Sequence, residues 1–350
     1  MFSTYKPEDV TILLKNISGL VEPLDTATRE RAIQTGEHYS SMLPLEYEPS
    51  AEYMSVYRRA LKDYAAKTAA AVAATAEKIW LAKRERAVLV SLARAGTSIG
   101  ILVKRYLQKK YRVNAPHYTI SIIRGIGIDH NAMKFILSRH APDALQFIDG
   151  WIGKGAIVGQ LRRAMEDYPG VSSEIAVLSD PAYITRLYGT REDFLIPSSC
   201  LNSTVSGLLS RTFLRDDIIG ANDFHGAAFY DNLKAQDLTY RFIETVEAHF
   251  AEARPNLDEN SVPDGRGLRE VKEIGREFGI DDVNLIKPGI GETTRVLLRR
   301  VPRVILVGTP KDEAALKHIY RLAAEKNVAV IEYPLKNYRA CGLIQKLGDT

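Results

Sequence analysis

The chain has 350 residues, enough for two or three domains with a large buried core. Hydrophobic residues make up 45% and charged residues 26% of it, a balance typical of globular proteins. No apolar run is long enough to span a membrane, and the N-terminal residues lack the features of a signal peptide. The two cysteines, Cys200 and Cys341, are too few and too distant for a disulfide framework. We therefore expect a cytoplasmic protein without membrane contact.

The net charge of +4 is unevenly distributed. Residues 295–350 hold eleven Lys and Arg against five Asp and Glu, so the rest of the chain is slightly acidic. This distribution predicts an anionic partner, such as RNA, at the C-terminal end. A solvated basic face is the alternative.

Residues 1–50 have scattered Pro and Gly and are predicted to form an irregular arm on the body of the protein. Between residues 51 and 84, apolar side chains recur at helical spacing after the N-cap Ser50, which predicts one long helix. Strands and helices are then expected to alternate, at 87–92, 98–110, 118–123, 131–139, 145–149, 157–168 and 174–178. This alternation predicts an α/β fold, with helices flanking a parallel sheet and right-handed crossovers between strands.

The predicted strand at 145–149 ends in an acid and runs into a loop with three glycines and one lysine before a helix begins. Backbone N–H groups and the helix dipole favour an anion at such a junction, and glycine lets the backbone approach it. The spacing does not fit a Walker A loop, which has four residues between its first Gly and Gly-Lys. We predict a phosphate site, with an ordinary turn as the alternative, from Asp149, Gly150, Gly153, Lys154, Gly155 and Ala156.

Two other predicted strands end in loops of related composition. These loops contain Arg94, Ala95, Gly96 and Thr97 after the first strand, and Arg124 and Gly125 after the second. In open α/β sheets, ligands bind outside the carboxyl ends of the strands. Together the three loops predict a ligand with more than one phosphate, although each alone is typical of a plain βα turn.

Residues 148–156 form an apolar strand, an acidic position, two apolar residues and a small-residue loop that opens a helix, and this frame resembles the type I phosphoribosyltransferases. Residues 90–97 resemble the pyrophosphate loop of that family. The chain as a whole resembles a bacterial group named both StiP-type proteins and phosphoribosyltransferases of tellurite-resistance gene clusters. The stretches that carry this resemblance are 36–40, 148–151, 196–207, 223–227 and 287–292.

The resemblance implies an enzyme that binds phosphoribosyl pyrophosphate with Mg²⁺ and transfers the ribose phosphate to an unknown acceptor. It implies catalytic roles for Asp149 at the ribose hydroxyls and for Arg94 and Arg124 at the departing pyrophosphate. The loops at 95–97 and 153–156 would hold the pyrophosphate and the 5′-phosphate. An acceptor pocket is expected from Ser199, Cys200, Asn202, Ser203 and His225.

Two other functions remain open. The family carries a second acid where this chain has Gly150, which favours a non-catalytic nucleotide or RNA binder with the same fold. The third function is a cysteine protease with Cys200 as nucleophile and His225 or His249 as base. No family-specific protease sequence surrounds Cys200, and a buried structural thiol is the simplest alternative for it. The transferase is therefore the preferred prediction.

The second half is predicted to form a hood around residues 195–265, with helical segments at 206–212 and 233–253. A helix at 267–278, a strand at 284–287 and a strand–helix–strand unit between 303 and 332 follow. The last unit resembles the Pelota/L7Ae RNA-binding fold, which implies RNA contacts from Lys336, Tyr338 and Arg339. The predicted domains are an arm at 1–50, a phosphoribosyltransferase-like domain at 51–295 and a Pelota-like domain at 300–350. The expected partners are a phosphorylated sugar, RNA and, as an open option, a second copy of the chain in a homodimer.

Overall fold

The computed structural model describes residues 2–257, 261–308 and 312–345. Its strands are β1 (Thr11–Ile12), β2 (Lys15–Asn16), β3 (Val88–Leu92), β4 (His117–Ile120), β5 (Ile122–Ile123), β6 (Gly127–Ile128), β7 (Leu145–Trp151), β8 (Ile175–Ser179), β9 (Tyr188–Thr190), β10 (Gly226–Ala227), β11 (Ile286–Pro288), β12 (Pro302–Val307), β13 (Val330–Glu332) and β14 (Ala340–Ile344). Its helices are α1 (Thr26–Gln34), α2 (Ala51–Lys83), α3 (Ala95–Tyr111), α4 (His130–Leu137), α5 (Ala156–Met165), α6 (Thr239–Glu247), α7 (Arg266–Glu277), α8 (Ile290–Arg299) and α9 (Glu313–Glu325).

A parallel sheet of six strands, in the order β1-β4-β3-β7-β8-β9, forms the centre of the molecule. The strands β3, β4 and β8 are buried along their whole length, as expected for strands with helices on both faces. One hydrophobic core lies between helices α2 and α3 and one face of the sheet, and it includes residues such as Val72 and Leu102. The other packs α4 and α5 against the opposite face, through residues such as Met133 and Leu161. The predicted α/β fold with a flanked parallel sheet is confirmed.

The N-terminal residues are part of this sheet. Strand β1 pairs in parallel with β4 at the sheet edge, and the backbone N–H of Leu13 donates to the carbonyl oxygen of Thr119 at 3.0 Å. Strand β2 pairs with β10, which belongs to the second half of the chain. The sequence did not predict these strands because two-residue strands carry no hydrophobic periodicity.

Two predicted helical segments differ from the structure. Residues 206–212 are not helical, because Gly207 and Leu208 both have positive φ angles, of 67° and 56°, which end any right-handed helix. The helix predicted at 233–253 is limited to α6, since Asp237 accepts hydrogen bonds from the backbone N–H and hydroxyl of Thr239 and starts the helix there. A short 3-10 helix, Asp231–Gln236, precedes it.

A second sheet, in the order β11-β14-β12-β13, forms the C-terminal unit. Strand β14 is antiparallel to both β11 and β12, whereas β12 and β13 are parallel. The apolar residues of α8 and α9 continue the first core, and those of α7 continue the second. The first strand of the C-terminal sheet, β11, lies before residue 300, where that domain was predicted to start. Over the described ranges, no helix is long and apolar enough to cross a membrane.

Candidate functional site

The glycine loop differs in detail from its prediction. Strand β7 continues to Trp151, so Asp149 and Gly150 lie within the strand instead of the loop. Gly155 has a φ of +72° and immediately precedes α5. A Cβ atom there would lie 2.7 Å from Cδ1 of Ile184. Backbone conformation and packing are thus sufficient reasons for this glycine.

The same loop is a joint between the two sheets. The carbonyl oxygen of Gly153 accepts a hydrogen bond of 2.6 Å from the hydroxyl of Tyr338. The ammonium group of Lys154 donates to the carbonyl oxygens of Val283 and Ile286. Burial, with the neighbouring charges of Lys287 and Arg124, lowers the pKa of Lys154 to about 7. The lysine therefore bonds to the C-terminal unit, and the phosphate site at this loop stays a prediction.

A small cavity of about 20 Å³ lies at the carboxyl edge, lined by residues that include Trp151, Ser199, Gly291 and Glu292. Burial raises the pKa of Asp149 to about 7, and the nearby Glu292 adds to the rise. A hydrogen bond from the backbone N–H of Gly150 and the charge of Arg295 oppose it. The guanidinium of Arg295 lies 4.8 Å from the ring centroid of Trp151. The carboxyl group of Asp149 therefore has a raised pKa although a cation, Arg295, lies nearby.

The residues after β3 pack tightly. Helix α3 begins at Ala95, so Gly96 and Thr97 belong to its first turn. A Cβ atom on Gly96 would lie 2.5 Å from the carbonyl oxygen of Ile148, and the buried hydroxyl of Thr97 bonds to that of Thr119 at 2.7 Å. Their role as phosphate ligands stays a prediction, while the structure gives each of them a packing role.

Arginine side chains gather beyond these strand ends, around Tyr39. The guanidinium of Arg124 is 5.5 Å from the ring centroid of Tyr39, and that of Arg211 is 4.5 Å from it. Arg94 donates to the side-chain oxygen of Asn202 at 2.8 Å and to the carbonyl oxygen of Leu209 at 3.1 Å. The sequence placed Arg211 near the predicted acceptor pocket but did not predict its approach to Arg124, because the two residues lie far apart in the chain.

The predicted acceptor residues are only partly brought together. Cys200 ends the short 3-10 helix Pro197–Cys200, and Ser203 begins the next one, Ser203–Val205. The hydroxyls of Ser199 and Ser203 are buried without a hydrogen-bond partner among the described residues. His225 bonds elsewhere: its ring nitrogen Nδ1 lies 2.8 Å from Oγ of Ser121, and its backbone N–H donates to Asp129. Burial lowers its pKa, against the influence of Asp129.

The predicted RNA contacts differ in exposure. The Tyr338 side chain is only 3% exposed and bonds to Gly153, so its ring is not open to stack on a base in this arrangement. Arg339 forms ion pairs with Glu192 and Asp312. Lys336 has a side-chain exposure of 74% and lies 3.9 Å from Glu273. Of the three residues, Lys336 alone extends freely into solvent.

The fold and site define an α/β protein with a cleft at the carboxyl edge of a parallel sheet and a separate C-terminal sheet. Comparison with known proteins agrees with this division. A family model described as "Tellurite-like stress resistance cysteine protease StiP" matches residues 3–247, and the "PELOTA RNA binding domain" matches residues 265–346. A curated protein of Acinetobacter baylyi, "Cysteine protease StiP", is 35% identical over 365 aligned positions, covering 99% of this chain and 94% of that protein. The chain belongs to the StiP family. No solved structure matches it.

These comparisons overturn the preferred functional prediction. Both the family and the relative are named as cysteine proteases, so a phosphoribosyltransferase is wrong as the predicted enzyme. Phosphoribosyl pyrophosphate and magnesium, which were expected with that activity, conflict with the same description. The resemblance to StiP-type proteins and the Pelota-like C-terminal domain are confirmed. Glycine-rich strand ends are shared by many βα turns, and here the loop with Gly153 and Lys154 holds the two sheets together.

Proposed function

We propose that this chain is a cysteine peptidase and that the thiol of Cys200 is its nucleophile. The observation that carries the proposal is the family match, which spans residues 3–247 and contains a single cysteine. The curated relative named as a cysteine protease is similar to this chain over nearly its whole length. The proposal thus adopts the third function that the sequence left open.

Cys341 is the weaker choice of nucleophile. It lies in β14, between β11 and β12, and its side chain is fully buried. Both thiols are fully buried here, but Cys341 lies in a strand that is paired on both sides, whereas Cys200 lies at the end of a short 3-10 helix. Cys341 also lies outside the range that matches the protease family.

Polar groups surround the turn that carries Cys200. Ser199 lines the cavity together with Glu292, and its buried hydroxyl has no hydrogen-bond partner within the described ranges. The guanidinium of Arg94 bonds to the side chain of Asn202, two residues after the thiol. Such groups are suited to hold a peptide backbone next to the nucleophile.

The proposal includes a movement of this turn. The Cys200 side chain is completely covered here, and a peptidase needs a base beside an accessible thiol. Ring nitrogens of six histidines bond to groups other than Cys200, in His38, His117, His130, His140, His225 and His318. We therefore propose that the described arrangement is a closed form, in which the thiol is covered and His225, one of the two predicted bases, bonds to Ser121.

Peptide cleavage by the full-length chain tests the proposal. A mixture of fluorogenic peptides is incubated with the wild type, Cys200→Ala and Cys341→Ala, and the products are identified by mass spectrometry. We expect cleavage by the wild type and by Cys341→Ala but not by Cys200→Ala. Cleavage that persists in Cys200→Ala would contradict the assignment. A complete absence of cleavage, also in Arg295→Ala, which is expected to loosen the turn, would contradict it as well. His225→Ala and His249→Ala then identify the base, since removal of the base costs roughly 10²-fold or more in rate.

A second proposed function is RNA binding by the C-terminal unit, supported by the Pelota match and the exposed Lys336. Binding of a labelled RNA oligonucleotide is measured for the wild type, Lys336→Glu and the charge-matched control Lys326→Glu. We expect a roughly tenfold or larger loss for Lys336→Glu, because a cation that neutralises a phosphate is replaced by an anion. Equal losses in both variants would indicate only a general charge effect and contradict a specific contact at Lys336.

A further inference from the structure

The strongest unassigned feature is the pair of arginines against Tyr39, Arg124 and Arg211, to which the proposed thiol chemistry gives no part. Tyr39 is firmly placed: its hydroxyl accepts a hydrogen bond of 2.8 Å from the backbone N–H of Arg124. The neighbouring His38 holds the same residue, with Nε2 3.0 Å from the carbonyl oxygen of Arg124. The guanidiniums of Arg124 and Arg211 both lie within 5.5 Å of the Tyr39 ring centroid. One aromatic ring thus organises two cations.

A third arginine is tied to the same place. The guanidinium of Arg94 bonds to the carbonyl oxygen of Leu209, two residues before Arg211. Arg94 lies two residues after the end of β3 and immediately before α3, so the cluster lies at the carboxyl edge of the parallel sheet. We call Arg94, Arg124, Arg211 and Tyr39 the arginine cluster.

The positive charge of the arginine cluster is not balanced by the part of the chain that the structure describes. Arg94 lies 3.8 Å from the carboxylate of Glu46. Arg124 donates to the neutral amide of Asn284 at 2.7 Å. Among described residues, no hydrogen-bond acceptor or carboxylate contacts the guanidinium of Arg211. Three cations therefore share one carboxylate.

The burial of these cations affects the pKa of Arg211. Burial, and then the charges of Arg29, Arg94 and Arg124, lower the pKa of Arg211 to about 10, while Tyr39 opposes the shift. The side chain nevertheless stays charged at neutral pH. Holding like charges together in a half-buried place costs free energy unless an anion joins them.

We propose that the arginine cluster is a binding site for an oligophosphate anion. Guanidinium groups present paired N–H donors that match phosphoryl oxygens, and several of them favour a ligand with several negative charges. A single carboxylate would leave most of the charge uncompensated. Because guanidiniums already lie against the Tyr39 ring, the site recognises phosphates and offers no free aromatic face for a base.

Two kinds of ligand carry phosphate groups that fit this chemistry. One is a free oligophosphate, such as a nucleoside triphosphate, and the other is the 5′-terminal triphosphate of an RNA. The second source would place the RNA end in the StiP-family part of the chain, apart from Lys336 in the C-terminal unit. The proposal does not depend on the peptidase activity, so the two can fail separately.

Calorimetric titration of the full-length chain with inorganic tripolyphosphate at low ionic strength tests the site. We expect binding by the wild type that weakens at least tenfold in Arg211→Gln, which removes the charge and keeps a polar side chain. The matched control is Arg321→Gln, in which an exposed arginine paired with Glu325 is changed in α9. It should bind as the wild type does.

Thermal unfolding without ligand separates a binding role from a structural one. Removing one of several repelling cations should leave Arg211→Gln at least as stable as the wild type. No tripolyphosphate binding by the wild type up to about 1 mM would overturn the proposal. A loss of binding in Arg211→Gln that comes with a large loss of its stability would indicate a structural role and would overturn it too. Binding that is equal in the wild type and Arg211→Gln would overturn it as well.

A second titration distinguishes the sources. The same RNA oligonucleotide is compared with a 5′-triphosphate and with a 5′-hydroxyl end, in the wild type and in Arg211→Gln. RNA is assigned as the source if the 5′-triphosphate RNA binds more tightly than both the 5′-hydroxyl RNA and tripolyphosphate, and if Arg211→Gln removes this difference. Binding of tripolyphosphate without such a preference assigns a free oligophosphate.

Discussion

The hydroxyl of Tyr338 donates a hydrogen bond of 2.6 Å to the carbonyl oxygen of Gly153, although the two residues are 185 positions apart. One belongs to the C-terminal unit and the other to the glycine loop after β7. Lys154 bonds to the same unit, so consecutive residues of the loop hold the two sheets together. The loop that looked most like a ligand site is thus a structural joint.

Tyr338→Phe tests this joint. The substitution keeps the buried ring but removes the donor, and we expect the free energy of unfolding to fall by about 1–2 kcal/mol, as for a buried hydrogen bond with a partner left unsatisfied. Urea unfolding measures it. The control is Tyr333→Phe, whose exposed hydroxyl bonds to Glu277, and it should change stability by less than about 0.5 kcal/mol. Equal losses of stability in the two variants would show that the hydrogen bond to Gly153 stabilises the protein no more than an exposed one does.

Asp149→Asn should remove a pH dependence of stability. The folded pKa of about 7 lies above the ordinary value of 3.8, so between these values the folded state holds a proton that the unfolded state has lost. The wild-type free energy of unfolding should therefore fall as pH rises from 5 to 8. The limit is about 4 kcal/mol for such a shift, and partial exposure reduces it to roughly 1–2 kcal/mol.

Urea unfolding at pH 5 and pH 8 gives the comparison. The stability of Asp149→Asn relative to the wild type should increase between the two pH values. Asp143→Asn is the control, because the exposed Asp143 pairs with Arg86, which lowers its pKa, and it is ionised throughout this range. A wild type and Asp149→Asn with parallel pH profiles would contradict the raised pKa.

Arg295 should restrain the turn that carries Cys200. Its Nε atom donates to the carbonyl oxygen of Ser199 at 3.1 Å, which connects α8 to the residue before the thiol. In a Cys341→Ser background, we expect Arg295→Ala to speed the reaction of Cys200 with a thiol reagent roughly tenfold, because local opening costs less free energy. Arg321→Ala, at an exposed pair in α9, should leave the rate unchanged. A rate that is identical in all three proteins would show that another contact closes the turn.

Two helical glycines should respond in opposite directions to alanine. A Cβ atom on Gly100 in α3 would lie 2.1 Å from Oγ of Ser91 and 2.4 Å from Nε2 of His117, which bond to each other. We expect Gly100→Ala to lower stability by about 2–3 kcal/mol. The nearest atom to a Cβ on Gly159 in α5 is 3.9 Å away, so Gly159→Ala should raise stability by about 0.5–1 kcal/mol. Thermal unfolding measures both, and tolerance of alanine at position 100 would refute the close packing.

Much of the fold was predictable because local patterns carry it. The apolar runs of β3, β7 and β8 and the long helix α2 after Ser50 agree with their predictions to within a few residues. The alternation of strands and helices required a parallel sheet, which places the residues after β3 and β7 at a common edge. The two-residue strands β1 and β2 and the break in the helix at Asp237 lacked such signals, because they depend on pairing and capping.

The candidate site was less predictable. Arg94 and Arg124 follow predicted strands, so their placement at the sheet edge came from topology alone. Arg211 follows a left-handed turn at Gly207 and Leu208, and its approach to Tyr39 is visible only in three dimensions. The acceptor prediction joined His225 to Cys200 from their proximity in sequence, whereas His225 bonds to Ser121.

By itself, the sequence determined the order of strands and helices, the parallel sheet, the Pelota-like end and the presence of only two thiols. The order of elements and the sheet follow from hydrophobic periodicity, which acts over a few neighbouring residues, whereas the Pelota-like end followed from a resemblance to a known domain. Three features are visible only in the folded chain: the bonds of Lys154 and Tyr338 across the joint, the covered Cys200 side chain, and the meeting of Arg124 and Arg211 at Tyr39. Such contacts depend on through-space distances between residues far apart in the chain, and no local pattern encodes them.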